Sequence, residues 1–373
     1  MDNIVSTLFK DFLFGDKVVK GMEYLPNEII LKILKNLNFN ELFKLKQTCR
    51  YFNEFITKYN LDRKRFDMLQ VFGHLHYQTD QFHHLKHDSK AIEFPLSKVL
   101  QDKWQSAVDN KMLVFIKLEP LRFCNPRIAL HITGIDPSSK IVLIFTEFGK
   151  KPSTNKVLLL PLCPQNIEAL KIVRYWLKQL FLCVWGIVQF NEYILNPEMV
   201  KLLFDDDEIS KMKFNCQTVR MTMFNHSMDD LKFTFDYLVI NSSLHILTDI
   251  GRISEKGKII IFNILLSEGY RIPEVVFPDG IRINDLTIYN KIINDLETAT
   301  DLTKLVNKIK FYCEDWSPSE IIVKGIEMNE VNKGKKIYKI KNINDPKMEF
   351  SIKWTFNEDE NEKIKEIEIS KIK

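Results

Sequence analysis

The chain has 373 residues, of which 45% are hydrophobic and 27% charged. That length suggests about two or three domains at roughly 100–200 residues each, and that much apolar side chain closes a core, which excludes wholesale disorder. Fifty-three bases against forty-nine acids leave a formal charge of +4, too small for the whole protein to bind as a polyelectrolyte.

At the start of the chain, Asp2 stands where a secretory leader would carry bases, and Lys10 and Asp11 break the first apolar run. Residues 1–20 read as an N-terminal arm. The longest apolar stretch is residues 180–188, nine residues against the about 20 needed to span a bilayer. The six cysteines are scattered without a C-x-x-C pair, which reads as small core residues in a reducing compartment. The expectation is a soluble protein, cytoplasmic and/or nuclear, with no membrane association.

Residues 21–66 carry the densest signal. Leu25-Pro26-Asn27-Glu28 opens a helix: Pro26 fits a first turn, where its missing N–H would have had no partner, and Glu28 complements the positive helix end. Ile29, Ile30, Ile33, Leu34 and Leu37 then form one helical stripe. Asn40 suits the N-cap of a short second helix with Leu42, Phe43 and Leu45. A third helix follows Thr48, presenting Phe52, Phe55, Ile56 and Tyr59 at i, i+3, i+4 and i+7. Three helices this short cannot bury all these faces among themselves, so the unit should offer an apolar face to another protein. From residue 25 to 65 there are nine bases and four acids, a surface suited to an acidic protein partner. Nucleic acid, or import through Arg63-Lys64-Arg65, is the competing reading of the same charge.

The pattern Leu25-Pro26-x-Glu28-Ile29-Ile30-x-x-Ile33-Leu34-x-x-Leu37, then Leu42-x-x-Leu45 and Thr48-Cys49-Arg50-Tyr51-Phe52, resembles the F-box. Cys49 and Thr48 stand where that family commonly has serine and valine; both are small. The resemblance implies a three-helix F-box that docks on the Skp-family adaptor of a cullin-RING (SCF-type) ubiquitin ligase. It also implies an adaptor interface among Leu25, Pro26, Ile29, Ile30, Ile33, Leu34, Leu42, Leu45 and Phe52. Some of these must instead tie the helices together, and the spacing does not divide them.

Five of the eight histidines fall between residues 74 and 87. If residues 81–88 were helical, His83 and His87 would share a face at i, i+4, a spacing that can hold a metal. The pattern lacks the Glu of an H-E-x-x-H site, and residues 67–110 read as a His-rich helical linker with no metal centre.

From residue 111 to 373 the pattern is that of a mixed α/β target-binding domain. Strand-like runs fall at 112–117, 127–133, 140–147 and 156–160, an antiparallel meander. A helix over 165–180 follows, with Ile167, Leu170, Ile172, Val173, Trp176, Leu177 and Leu180 inward, then a strand at 183–190. Asn196-Pro197-Glu198 opens another helix. The acidic run 205–208 lacks the alternation of a calcium loop and reads as a solvated loop. Strands are expected at 211–221, 231–240 and just after Pro273, and helices at 256–268, 285–296 and 302–310. Alternating helix and strand suggests βα units, with degenerate leucine-rich-like repeats one reading although no fixed period appears. The last 38 or so residues, with 336–341, 348–356 and 364–372 alternating apolar and polar, are expected to close the chain as a three-stranded antiparallel sheet with one wet face and lysines guarding its edge. The arrangement also resembles an expanded nematode set of F-box proteins of the root-knot type, in architecture only.

No nucleophile elbow, Walker loop, dinucleotide fingerprint or zinc signature is present. Asp229-Asp230, Glu358-Asp359-Glu360, His131, His226 and His245 have no partners in the sequence pattern. The reading is therefore a non-catalytic F-box substrate receptor: no cofactor, a Skp-family adaptor and through it a cullin as partners, and an unknown target on 111–373. A non-ligase F-box scaffold and a basic nucleic-acid binder are the alternatives.

Overall fold

The structure is a computed structural model that describes residues 24–34, 42, 45–46, 48–59, 61, 64–73, 82–85, 93–117, 139–147, 155–191, 193–204, 208–209, 212–222, 236–247, 255–278, 286–316, 321, 327–330, 334–357 and 363–372. The chain divides into two compact units, residues 1–65 and 66–373.

In the first unit, helix α1 (Asn27–Leu34) starts directly after Pro26, whose carbonyl accepts from the amides of Ile29 and Ile30. Thr48 closes the preceding turn with its Oγ1 donating to the Leu45 carbonyl at 2.7 Å. Helix α2 (Arg50–Lys58) follows, and Cys49 at its N-cap supplies no side-chain hydrogen bond. Ile30, Leu34, Leu42, Leu45, Phe52, Phe55, Ile56 and Leu61 form the unit's own core. Tyr51, Phe52, Phe55 and Tyr59 add ring contacts at centroid distances of 4.6–5.8 Å, the geometry in which aromatic edges and faces attract. Asn40 and Leu37 lie outside the described residues.

The second unit is organised by one thirteen-stranded mixed sheet. Its first part comprises β1 (Arg65–Gly73), β2 (His83–His84), α3 (Lys98–Asp109), β3 (Phe115–Lys117), β4 (Lys140–Glu147), β5 (Lys156–Pro161), α4 (Ile167–Phe181), β6 (Val184–Phe190) and β7 (Tyr193–Leu195). Then come α5 (Pro197–Leu203), β8 (Phe214–Thr222), β9 (Leu238–Leu247), α6 (Glu255–Ser267), β10 (Glu274–Phe277), α7 (Leu286–Thr298) and β11 (Lys308–Trp316). Strands β12 (Glu327–Glu330), β13 (Lys335–Lys341), β14 (Glu349–Phe356) and β15 (Ile364–Lys371) complete the chain. The strand order is β12-β13-β14-β15-β11-β10-β9-β8-β6-β1-β4-β5-β2, and β3 and β7 pair separately.

The middle of this sheet, β6-β8-β9-β10-β11, is parallel and runs in chain order. Both flanks are mainly antiparallel: β11-β15-β14-β13-β12 on one side and β1-β4-β5 on the other. Register partners across eight strands form a single apolar row: Val188, Val219, Leu244, Val275, Ile309, Ile369, Ile352 and Tyr338, all buried. Helix α7 packs on this face, with Tyr289 ring to ring against Phe311 at 6.1 Å and Trp316 at 5.8 Å. Right-handed crossovers between strands laid down in order bring successive helices to the same face.

Several local devices hold this frame. The Asn166 side chain caps α4, accepting from Ala169 at 2.8 Å, and Asn196 caps α5, accepting from Glu198 at 3.0 Å. Asn196 also donates to the Leu113 carbonyl at 2.8 Å, and the Trp104 indole donates to that of Leu202 at 3.0 Å, which ties α3 to α5. Beside the register shift between Phe66 and Met68, Gly186 of β6 lets β1 approach so closely that a Cβ there would lie 2.6 Å from the Asp67 carbonyl oxygen.

Five expectations are corrected. Residues 67–110 are not a helical linker throughout: β1 is an interior strand between β6 and β4, His83 and His84 are extended beside β5, and among the described residues of the segment only Lys98–Asp109 is helical. Leu69, Val71 and Gly73 are buried at the strand period, but the register shift after Phe66 breaks the alternation and Phe72 is apolar on the other face, so the sequence shows no clean period. Residues 302–310 turn and then enter β11, because Ile309, Phe311 and Cys313 alternate at the strand period. The strand expected at 231–240 is β9, displaced to Leu238–Leu247; Leu231, Phe233 and Phe235 lie outside the described residues, as does 127–133. The final strands do pair antiparallel, yet they do not form a separate three-stranded sheet: β15 pairs with β11 and β13 with β12, so all belong to the large sheet. Finally, Glu208 is not part of a solvated acidic loop but ion-pairs with two cations of α4.

Candidate functional site

Two surfaces stand out, one on each unit. On the first, Pro26 is exposed, Leu25 is 37% and Ile29 46% exposed, and Tyr24 beside them is 85% exposed. Ile33 is half-buried against the core. The other proposed interface residues, Ile30, Leu34, Leu42, Leu45 and Phe52, are buried within the unit. The structure thus separates them by exposure: the entry and outer face of α1 present apolar side chains to solvent, while Ile30 and Leu34 on its adjoining face bind the helices to each other. Arg50 and Glu54 pair at 2.6 Å on the surface of α2.

On the second unit, the sheet face opposite the apolar row carries two polar rows of register partners. One reads Ile187, Thr218, Ser243, Glu274, Lys308, Ser370, Ser351 and Lys339; the other reads Gln189, Arg220, His245, Val276, Lys310, Glu368, Lys353 and Ile337. The hydroxyls of Thr218 and Ser243 lie 3.2 Å apart, and Gln70 donates to Gln189 at 3.5 Å. Lys310 sits between two carboxylates, Glu274 at 3.1 Å and Glu368 at 3.6 Å, and Lys308 shares Glu368 at 3.6 Å. Partial burial pulls the Lys310 ammonium toward the neutral form, but Glu274 and the two acids of β15 outweigh it and raise its pKa. None of these groups was identifiable from sequence as part of a surface, because the strand order that aligns them is a property of the fold.

A third charged cluster is structural. Arg174 is only 8% exposed; its Nε donates to the Leu203 carbonyl at 3.0 Å and its Nη2 to Glu208 at 2.7 Å. Its guanidinium lies 3.7 Å from the centroid of the Phe94 ring, a cation–π arrangement. Lys178 reaches the other Glu208 oxygen at 2.8 Å. Burial pushes the Glu208 carboxyl up, and the Lys178 hydrogen bond with the Arg174 charge overcomes it, leaving the pKa below the ordinary glutamate value.

Of the histidines, His83 and His84 are exposed on a strand, which removes the i, i+4 helical geometry. His74, His76, His87, His131 and His226, and the acidic pairs at 229–230 and 358–360, lie outside the described residues. Among the described residues no group of three or more His, Cys, Asp or Glu side chains is placed to hold a metal, and no helix is long and apolar enough to cross a membrane. His245 occupies the polar face of β9 beside Arg220 and Val276.

Residues 22–67 match the F-box-like family. The chain carries an F-box-like domain. F-box domains are typically non-catalytic adaptor modules, and this one points to a Skp-binding adaptor role. The exposed Leu25-Pro26 entry and Ile29 belong to that F-box-like unit. Residues 85–249, which run from the end of β2 to the end of β9, match a domain of unknown function (DUF8381). No curated protein and no solved structure matches the chain.

Proposed function

We propose that the protein is a substrate receptor: its F-box-like unit docks on a Skp-family adaptor, through it on a cullin, and residues 66–373 hold a target protein for ubiquitylation. The observation that carries this reading is the F-box-like match at 22–67 on a helical unit whose core is closed but whose Leu25, Pro26 and Ile29 face outward. In this reading Leu25, Pro26, Ile29 and the rim of Ile33 touch the adaptor. Ile30, Leu34, Leu42, Leu45 and Phe52 hold the helices in the geometry that presents them. The receptor supplies no reacting group; it raises the effective concentration of a target lysine beside a ubiquitin-charged enzyme. Such a complex would work in the cytoplasm or nucleus. The parallel strands in chain order support the degenerate leucine-rich-like reading of β6 to β11, and the likeness to the nematode set bears on that architecture without naming a target.

The test is a pull-down with purified Skp-family adaptor, comparing wild type with Leu25→Ala/Ile29→Ala. Each truncation removes exposed apolar surface worth about 1 kcal/mol or more once buried against a partner, so affinity should fall at least about tenfold while the tryptophan fluorescence of the second unit is unchanged. A folded wild-type protein that ignores the adaptor, or a double variant that binds as well as wild type, overturns the assignment.

A further inference from the structure

The two polar rows carry Lys308 and Lys339 in one and Arg220, Lys310 and Lys353 in the other. Every one of these lysines has a carboxylate across the strand or in an ion pair. Glu274 and Glu368 reach Lys310 at 3.1 and 3.6 Å, and Glu368 reaches Lys308 at 3.6 Å. Glu368 also stands opposite Lys353, and Glu327 opposite Lys339. Arg220 is the exception. Its register partners are Gln189 on β6 and His245 on β9; the diagonal positions are Ile187, Asn191, Ser243 and Leu247, and Thr218 and Thr222 stand two residues away along β8. None is acidic. The nearest carboxylate of the two rows, Glu274, is two strands and one row away, about 12 Å by strand geometry, and Lys310 already holds it.

Arg220 is half-buried on β8, between β6 and β9 in the interior of the sheet. Among the described residues its guanidinium makes no hydrogen bond or ion pair. Gln189 beside it is engaged elsewhere, accepting from Gln70 at 3.5 Å and donating to Asn191 at 2.7 Å. A cation partly withdrawn from water without a counter-charge costs stability, and the fold avoids that cost at each lysine of the same rows. Ile187 and Leu247 are half-buried on this face and do not pack into the apolar cores of the described residues. They lie on opposite sides of Arg220, one row below on β6 and one row above on β9. Each is roughly 8 Å from it, from about 4.8 Å between strands and about 6.6 Å between alternate residues. An apolar, cationic, apolar line thus crosses three strands.

We propose that Ile187, Arg220 and Leu247 form the docking line for an extended segment of a target protein, in which an acidic residue is flanked two positions to either side by apolar side chains. Its carboxylate lies on the Arg220 guanidinium and the apolar side chains lie on Ile187 and Leu247. Alternate side chains of an extended segment share one face and recur every 6.6–6.8 Å or so, close to the spacing of the line. The planar fork of a guanidinium matches a carboxylate. A phosphate, with nearly two charges, would ask for a second cation, and Lys308 and Lys310 are committed to Glu274 and Glu368. The proposal deepens the receptor reading of residues 66–373 and rests on it for the identity of the segment as a target's. Adaptor docking plays no part in the test, so the two readings fail separately.

The test measures fluorescence anisotropy of labelled peptides, capped at both ends, with the full chain. The first is Ser-Ile-Ser-Glu-Ser-Leu-Ser; the second has Gln, and the third phosphoserine, in place of Glu. Wild type should bind the Glu peptide about tenfold or more tightly than the Gln peptide. Arg220→Gln should bind these two equally, and Arg220→Lys, which keeps the charge without the fork, should retain part of the difference. Ile187→Ser/Leu247→Ser should weaken both and leave their ratio unchanged. Lys140→Gln, an exposed lysine at the start of β4, makes the same change in net charge as Arg220→Gln and should keep the wild-type ratio. Each ratio is taken within one protein, so a loss of stability common to both peptides cancels. Absence of binding to the Glu peptide, equal binding of the Glu and Gln peptides by wild type, a Glu preference that survives Arg220→Gln, or tighter binding of the phosphoserine peptide would overturn the proposal.

Discussion

Asn342 follows β13 and joins that strand to the helix beneath it. It is 1% exposed, and all four of its side-chain hydrogen-bonding positions in use are internal. Nδ2 donates to the carbonyls of Leu296 and Ala299, both at 2.9 Å, and Oδ1 accepts from the amides of Asn344 and Asp345, both at 2.8 Å. The last four carbonyls of a helix have no partners within it. Here Asp295 receives the amide of Ala299, Leu296 receives Asn342, Glu297 receives the amide of Ile343 and Thr298 receives the Asn344 side chain. The β13–β14 turn is therefore the C-terminal cap of α7. Asn342→Ala strands two carbonyls and two amides; at about 0.5–1.5 kcal/mol per bond, and less than additively, the loss is about 2–4 kcal/mol, or roughly 3–6 °C in Tm for a unit of this size. Asn342→Asp keeps the shape and both accepted bonds but turns a carboxylate oxygen toward two carbonyls, so it should cost at least as much at pH 7. That carboxyl would have a raised pKa, so its penalty is present above the ordinary aspartate range and is relieved as pH falls through the raised value. Urea denaturation followed by tryptophan emission reads this unit alone, because all five tryptophans lie beyond residue 65. An alanine variant within about 0.5 kcal/mol of wild type, or an aspartate variant as stable as wild type at pH 7, would refute the reasoning.

Glu208→Gln should lower stability at pH 7 by about 1–2 kcal/mol, discounted for the carboxylate's partial exposure. Because the folded pKa of Glu208 is depressed, the wild-type advantage is complete above the ordinary glutamate range and fades as pH falls through the folded value; an advantage that persisted unchanged into strong acid would contradict the ion-pair assignment. Gly186→Ala and Gly269→Ala each drive a Cβ into backbone, 2.6 Å from the Asp67 oxygen and 2.1 Å from the Leu305 oxygen. Each should cost about 1–3 kcal/mol or more in a denaturation midpoint, and a neutral result at either would mean that the strands or the turn stand farther apart than described. Cys163, Cys183, Cys216 and Cys313 are buried, and burial pushes the Cys216 thiol up to about 12. These four should resist a thiol reagent at pH 8 until denaturant is added, as read by mass spectrometry of the labelled peptides, and fast labelling of Cys216 in the folded protein would be inconsistent with its place in the sheet.

Local chemistry explains which elements the sequence disclosed. Pro26, Asn166 and Asn196 mark helix starts through rules that act within one turn, β4 and β5 are short apolar runs bounded by breakers, and β14 alternates without a break. The failures share a cause: each needed information from a distant strand. β1 is Arg-Phe-Asp-Met-Leu-Gln-Val-Phe-Gly, where Asp67 and Gln70 dilute the pattern, and it becomes a strand because β4 and β6 lie on either side. β9 includes Asn241, Ser242 and Ser243, which read as a loop. In the sheet, Asn241 donates to the Cys216 carbonyl at 2.9 Å across the register shift and Ser243 faces Thr218. Arg174 sits within the apolar stripe of α4, where its charge concealed that it is a core residue satisfied by Leu203, Glu208 and the Phe94 ring. The candidate adaptor residues could be read only as a set; dividing them into exposed and buried members required knowing the angle at which α1 packs, which spacing alone does not contain.

The polar face of β8 to β11 connects topology to function. Parallel strands covered by helices on both faces read as continuous apolar runs, and β10 does, with Val275, Val276 and Phe277 all buried. Its neighbours do not: Val219 and Met221 alternate with Thr218 and Arg220, Leu244 and Ile246 with Ser243 and His245, Ile309 and Phe311 with Lys308 and Lys310. Strands laid down in chain order through crossovers of one hand place their helices on a single face, so the residues of the other face are not fixed by core packing. Charge can accumulate there at the cost of cross-strand repulsion alone. That cost is met within β10, β11 and β15, where Glu274 and Glu368 offset Lys308 and Lys310. Farther along the same face the register repeats that solution, with Glu368 opposite Lys353 and Glu327 opposite Lys339.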